Sequence, residues 1–284
     1  MHEVGVHDAS TVEAFLPTRD TTLCISLAAR PSNIGTRFHN FLYRQLGLDY
    51  LYKAFTTEDI TAAIGGVRAL GIRGCSISMP FKEAVIPLLD AIDESAAAID
   101  SVNTIVNDHG TLTGYNTDYL AVRALLASNR IPASTPTLVR GSGGMAKAVT
   151  AALRDSGFTD VTIVARNETT GSALADRYSY RWAATPDQQA GLLINATPIG
   201  MEHQPGLPFT AEQVAAARWV LDVIAMPART ELLDLADEHG ATTIPGTEVI
   251  ALQAAEQFIR YTGIEPPAEL IAAASRFSRE APGQ

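Results

Sequence analysis

Between Pro136 and Ala148 the chain reads P-T-L-V-R-G-S-G-G-M-A-K-A, and this stretch constrains the fold more than any other. Thr137 to Arg140 is a short β-prone run; Gly141, Gly143 and Gly144 break it, and A-K-A-V-T-A-A-L after Met145 reads as helix. A strand that empties through a glycine turn into a helix brings backbone close to a pyrophosphate and aims helix N–H groups at it. Read as G-x-G-x-x-A, Gly141 makes the bend, Gly143 permits the close approach and Ala146 packs helix on sheet. Alone the motif is weak, because many α/β proteins join strand to helix in this way and bind nothing. Its surroundings strengthen it. After a helix of suitable length, V-T-I-V-A follows Asp160 as a second strand, so a βαβ unit encloses the turn. That strand ends on Arg166, where an NAD-binding unit carries an acidic residue for the ribose 2′-hydroxyl. A guanidinium favours a 2′-phosphate, and Asn167 and Thr169 add hydrogen-bonding capacity. Without a ligand, Arg166 reads as a solvated strand end whose charge Glu168 partly offsets. The pattern favours NADP, with NAD as the alternative.

At 284 residues the chain has room for two domains of ordinary size. A formal charge of −10 and the lack of a basic stripe exclude nucleic acid as the expected partner. An acidic chain still binds anions through a local cationic pocket, for which Lys82, Arg140, Lys147 and Arg166 are the candidates. No apolar run approaches the length of a membrane span. The start M-H-E-V-G-V-H-D lacks the basic and apolar regions of a signal peptide. Cys24 and Cys75 lie in apolar strand-like runs without metal-site spacing, as reduced core residues of a cytoplasmic protein do. No metal site is expected.

The first half alternates strand and helix: 22–28, 50–55 and 74–79 read as strands, 35–47 and 58–70 as helices, the second with Thr57 as a candidate cap. Such alternation predicts a parallel sheet with helices on its faces, and ligands at the carboxyl ends of the strands. V-N-T-I-V and T-L-T-G-Y then read as a hairpin through N-D-H-G, and a helix over 119–129 follows with Thr117 or Asp118 as cap. Later, 191–201 and 218–227 are buried strands emptying into loops, 241–246 is a last strand, and 248–261 and 267–277 are helices able to pack back on the first half.

Lys82 in S-I-S-M-P-F-K-E stands just past a strand end, on the expected ligand face, where a lysine can take or give a proton. Asp118, at the junction between halves, can hold that ammonium and relay a proton. Oxidising an alcohol requires loss of hydride together with loss of the hydroxyl proton, and a Lys–Asp pair beside the hydroxyl serves the second need without a metal. On spacing alone, a surface lysine and a helix cap explain the two residues more readily. His203 reads as a solvated loop histidine, His39 as a helix-face residue, and Trp182 and Trp219 as packing.

The run of S-x-S-M-P-F-K-E, A-I-D-S-V-N-T-I-V, G-Y-N-T-D, the G-S-G-G turn and N-A-T-P-I-G-M, in this order over nearly the whole chain, resembles the shikimate dehydrogenase family, and most of all its shikimate dehydrogenase-like branch. The resemblance implies an α/β fold of two domains: an N-terminal substrate domain completed by C-terminal helices (1–117 and 248–284), and a Rossmann-type NADP-binding domain (118–247). It implies Lys82 and Asp118 as the catalytic pair, and Ser78, Asn103 and Gln253 as contacts to substrate hydroxyls. Gly141, Ser142, Gly143, Gly144 and Met145 would form the diphosphate loop, Arg166 and Asn167 would meet the 2′-phosphate, and Thr197 and Met201 would lie along the cofactor. The implied activity is NADP-dependent hydride transfer to or from shikimate, quinate or a related polyol carboxylate, in a cytoplasmic monomer or homodimer of the shikimate pathway.

Three departures stand out. Asn33 and Gly35 occupy the positions where the family carries two serines for the substrate carboxylate, with Ser32 and Thr36 as possible substitutes nearby. Ala225 stands where the family has a tyrosine for the same carboxylate, and Thr170 and Gly171 stand where it has a second basic cofactor residue. Each missing charge-assisted hydrogen bond costs roughly 1.5–3 kcal/mol. The altered carboxylate site motivates a second reading: an NADP(H)-binding sensor or regulator with little turnover. A methylene-tetrahydrofolate dehydrogenase shares the two-domain plan but fits the motif set from Ser76 to Met201 poorly.

Overall fold

The computed structural model describes residues 16–280; the N-terminal stretch 1–15, read above as lacking a leader, and residues 281–284 lie outside the described residues. β1 (Thr22–Ala28), β2 (Tyr50–Thr56) and β3 (Gly74–Ile77) alternate with α1 (Ile34–Gln45) and α2 (Ile60–Ala69). β2 and β3 both pair in parallel with β1, one on each side. α2 is capped by Asp59, whose carboxylate accepts from Ala62 N at 2.9 Å, and not by Thr57. Thr57 instead accepts the Asp59 N–H, one step ahead of the helix.

β4 (Ala91–Ile92), α3 (Glu94–Ala97), β5 (Thr104–Asp108) and β6 (Thr111–Tyr115) complete the first sheet in the order β2-β1-β3-β5-β6-β4. The expectation of a parallel sheet is corrected here, because β5 runs antiparallel to both β3 and β6. The hairpin foreseen from the sequence is not an appendage: Thr104 to Asn107 are all buried, so its apolar run closes the sheet's open side. Its turn places His109 (φ 51°) and Gly110 (φ 94°) both in the left-handed half of backbone space, as a tight hairpin of the favoured twist requires.

α4 (Thr117–Ser128) carries the chain to a second sheet. There β7 (Thr137–Arg140), α5 (Gly144–Asp155), β8 (Val161–Val164), α6 (Glu168–Arg177), β9 (Arg181–Ala183), β10 (Leu192–Asn195), α7 (Ala211–Ala216), β11 (Trp219–Asp222), α8 (Glu231–Glu238) and β12 (Thr242–Pro245) alternate. The strand order is β12-β11-β10-β7-β8-β9, parallel throughout, which is the doubly wound Rossmann arrangement. The chain reverses its winding direction between β7 and β10, so a crevice opens at their carboxyl ends. Trp182 and Trp219 pack against the core of this half, as read.

α9 (Gly246–Thr262) and α10 (Ala268–Arg279) return to the first half: α9 packs on α4 and α1, and α10 on α1. Phe38, Tyr43, Tyr52, Phe258 and Tyr261 form the aromatic filling of this contact, each at most 2% exposed. Burial of a ring of this kind stabilises by about 1.5–3 kcal/mol. Gly74 is what lets Tyr261 sit on β3, because a Cβ there would lie 2.3 Å from the ring. Among the described residues no helix is long and apolar enough to cross a membrane.

His39, on the inner face of α1 as a helix-face residue, is fully buried inside this cluster, its ring stacked on Tyr52 at 4.4 Å. Burial lowers its pKa to about 3, so the folded protein holds it neutral while the unfolded chain protonates it near pH 6.5. Stability from this group is therefore complete above about pH 6.5 and is lost as pH falls toward 3, at up to about 1.4 kcal/mol per pH unit. A His39→Phe variant, followed by chemical denaturation from pH 7 to pH 4, is expected to lack this part of the acid slope.

Candidate functional site

The carboxyl end of β3 is clamped to that of β1: Ser78 N donates to Leu27 O at 3.0 Å and Ala29 N to Met79 O at 3.3 Å. The chain then turns, with Phe81 N donating to Ser78 O, and Lys82 leaves this turn rather than a helix. Lys82 O accepts from Val102 N at 2.8 Å, which anchors the lysine's backbone to the entrance of β5. Lys82 Nζ reaches Asp118 Oδ2 at 2.6 Å, with the lysine side chain 25% and the aspartate 9% exposed. Asp118 is free for this partner because Asn116 caps α4, its side chain accepting from Tyr119 N at 3.0 Å. The cap expected at Thr117 or Asp118 is thus one residue earlier.

Asn103 and Gln253 come together at Thr117. Asn103 Oδ1 accepts from Thr117 N at 2.8 Å and from Thr104 Oγ1 at 2.8 Å, and Thr117 Oγ1 donates to Gln253 Oε1 at 3.3 Å. One helical turn past Gln253, the buried Gln257 donates to Thr104 Oγ1 at 3.0 Å and to Ser76 Oγ at 3.2 Å. Sequence reading missed Gln257; its signal is a glutamine on the otherwise apolar face of α9. Ser78 is exposed at the strand end, and Asn33 is exposed as the first, uncapped residue before α1. Gly35 faces Tyr52, whose hydroxyl would lie 3.6 Å from a Cβ at that position.

A cavity of about 680 Å³ lies at the carboxyl ends of β7, β8 and β10. It is lined by the Gly141–Ser142–Gly143 turn, by Arg166 and Asn167 after β8, and by Thr197 after β10. Gly144, Met145 and Met201 do not line it: Met145 packs on the core, and Met201 forms isolated β-bridges with Ile199 and Gln204. Arg140 and Gln204 do line it, and among the described residues no Asp or Glu does. α5 starts from this cavity at Gly143 with no side-chain cap, so its first N–H groups are available to an anion. Lys147 is withdrawn from that task by Glu83, its partner across the two halves at 2.7 Å.

The loop after β10 is braced from below. Asn195 Oδ1 accepts from Thr197 N at 3.1 Å and Thr197 Oγ1 at 2.6 Å, while Asn195 Nδ2 donates to Ile199 O and to Asp222 Oδ1, both at 3.0 Å. Asp222 also accepts from Thr230 Oγ1 at 2.6 Å and Ile224 N at 3.1 Å. Burial raises its carboxyl pKa, and these hydrogen bonds oppose the rise. The signal for both residues was visible as a polar residue closing an apolar strand, L-L-I-N and W-V-L-D.

Comparison with known proteins bears on what such an arrangement serves. Residues 33–105 match the family described as the shikimate dehydrogenase substrate binding domain. The chain is 52% identical over 265 residues to a shikimate dehydrogenase-like protein of Haemophilus influenzae, covering 92% of this chain and 98% of that one. It superposes on a shikimate 5-dehydrogenase of Thermus thermophilus, solved with NADP(H) and shikimate, with a TM-score of 0.83 at 30% identity, over 90% of this chain and 99% of that one. It superposes on a quinate dehydrogenase of Corynebacterium glutamicum, solved with NAD, with a TM-score of 0.81 at 28% identity, over 90% and 98% of the two chains.

Gly141 is the position on which the cavity's floor depends. It has φ 125°, and a Cβ there would lie 2.7 Å from Ala196 O, a backbone atom that cannot step aside. Gly141→Ala is expected to lower stability by roughly 1–3 kcal/mol in urea denaturation.

Proposed function

The chain belongs to the shikimate dehydrogenase family, in its shikimate dehydrogenase-like branch, and on that premise we propose that it is an NADP-dependent oxidoreductase. It interconverts a ring hydroxyl and a ketone on shikimate, quinate or a related polyol carboxylate. The observation that carries this reading is the Lys82–Asp118 pair at 2.6 Å, one partner from each side of the junction between the two sheets. Residues 1–117 with 248–284 bind the substrate, and 118–247 bind the cofactor. The cavity fits NADP: uncapped helix N–H groups meet the diphosphate, and Arg166 with Asn167 meets the 2′-phosphate where an acidic residue would repel it.

Bound NADP supplies the hydride acceptor. The Lys82–Asp118 pair takes up the proton of the hydroxyl as the carbon loses its hydride. In the reverse direction the pair returns that proton to the oxygen of the ketone. Asn103, Ser78 and Gln253 orient the neighbouring hydroxyls. Thr117 holds Asn103 and Gln253 in mutual register. The protein works in the cytoplasm as a monomer or homodimer.

Steady-state NADP reduction with shikimate and with quinate tests the reading. Lys82→Ala is expected to lower kcat by about 10²–10⁴-fold; unchanged turnover would remove the lysine from the chemistry. Tight NADP(H) binding by the wild type with no turnover of any polyol carboxylate would instead mark a sensor.

The carboxylate site gives a separate expectation. A Cβ at Gly35 makes only ordinary contact with the Tyr52 ring, at 3.6–3.8 Å, so a serine fits. Gly35→Ser is expected to lower the KM for shikimate by roughly tenfold, the worth of one charge-assisted hydrogen bond.

A further inference from the structure

Arg140 closes β7 and occupies a place that the roles assigned so far leave unused. Side chains alternate along a strand, so Arg140 points to the same side as Leu138. Leu138 packs with Phe209, Val214 and Leu233 beneath α7 and α8. Arg140 therefore rises from that apolar layer to its rim, where its guanidinium donates to Pro208 O and lines the cavity. Arg166 approaches the same cavity from the next strand. β7 and β8 are paired with Arg140 opposite Val164, two residues before Arg166.

The electrostatics single this pair out. Neither arginine has a carboxylate partner among the described residues, and no carboxylate lines the cavity. Desolvation, and after it the charge of Arg166, lower the pKa of Arg140. Two like charges held without a counter-ion repel each other, and an anion placed between them relieves that repulsion. The first turn of α6 offers no long cation: Thr170 is turned to Ser142, hydroxyl to hydroxyl at 2.8 Å, and Gly171 has no side chain, while Arg177 at the far end is paired with Asp100.

We propose that Arg140 is the second cation for the cofactor's 2′-phosphate, closing on it from β7 while Arg166 closes from β8. This rests on the reading of the cavity as an NADP site. Pro208 O holds one face of the guanidinium fork, leaving the remaining N–H groups oriented for phosphate oxygens. The preference for NADP over NAD is thereby written into β7 itself, one residue before the glycine turn.

The test is equilibrium binding of 2′,5′-ADP and of 5′-AMP, which differ only in the 2′-phosphate, measured by calorimetry at fixed ionic strength. The wild type is expected to prefer 2′,5′-ADP. Arg140→Met should cut that preference by about tenfold or more while 5′-AMP binding moves by less than about twofold. Arg140→Lys, which keeps the charge, should retain part of the preference and controls for a folding defect in the first variant. Equal weakening of both nucleotides by Arg140→Met would make Arg140 an adenine-stacking or packing residue and overturn the proposal, as would an unchanged preference. A wild type that does not distinguish the two nucleotides would overturn the NADP reading itself, and the role of Arg140 with it.

Discussion

The three residues Val102 to Thr104 hold both members of the Lys82–Asp118 pair at once. Val102 N fixes the backbone of Lys82, and Asn103 Oδ1 fixes the backbone N–H of Thr117, the residue before Asp118. The ammonium and the carboxylate are thus hung from adjacent residues at the entrance of β5, although they are far apart in sequence. Gln257 locks the same strand from α9 through Thr104 and through Asn103 O. Val102, Asn103, Thr104, Thr117 and Gln257 are all buried, so each of their bonds left unmade would cost the desolvation of a buried donor or acceptor. The pair's geometry follows from this network more than from its own attraction, since a single ion pair near the surface is worth little.

The same device recurs in the second sheet. Asn195 and Asp222 stand side by side at the ends of β10 and β11, and their hydrogen bonds shape the loop that carries Thr197. In both sheets a buried polar side chain at the end of a central strand converts a fixed strand register into a fixed loop. Loops on which ligands bind are otherwise the least constrained part of an α/β fold. Chemistry at these positions therefore inherits the rigidity of the sheets.

Much of this was legible in the sequence, for reasons that differ from element to element. The glycine turn at 141–144 and the strand–helix alternation around it are local patterns, and the fold follows them. Lys82 and Asp118 stood out only through the motif resemblance, since spacing alone reads them as a surface lysine and a helix cap; that they meet at 2.6 Å is a long-range fact. Asn116 was missed as the cap because Asn116, Thr117 and Asp118 are all good cap residues by type. The antiparallel place of β5 was not legible, since its apolar run says that it is buried but not against which neighbour. β9 is three residues long and partly exposed, too short for any periodicity to register. Gln257 and His39 sit on helix faces whose burial depends on α9 returning across the molecule, a long-range fact that no local pattern contains.

Charge completes the account. The chain carries 31 acidic and 21 basic residues, so acid is in excess and salt bridges absorb many of its cations. Arg68, Arg73, Arg154, Arg177, Arg181 and Arg229 each find a carboxylate. Among the described residues Arg140 and Arg166 do not, and they meet at a cavity lined there by no acid. At physiological salt, screening beyond about 8 Å weakens the repulsion of a phosphate by the remote acidic surface more than the attraction of two guanidiniums in contact with it. A net charge of −10 is thus compatible with an anionic dinucleotide, provided that the few cations facing it are kept out of the salt bridges that absorb the others. On β7 that separation is structural: the backbone oxygen of Pro208 holds the guanidinium without neutralising it.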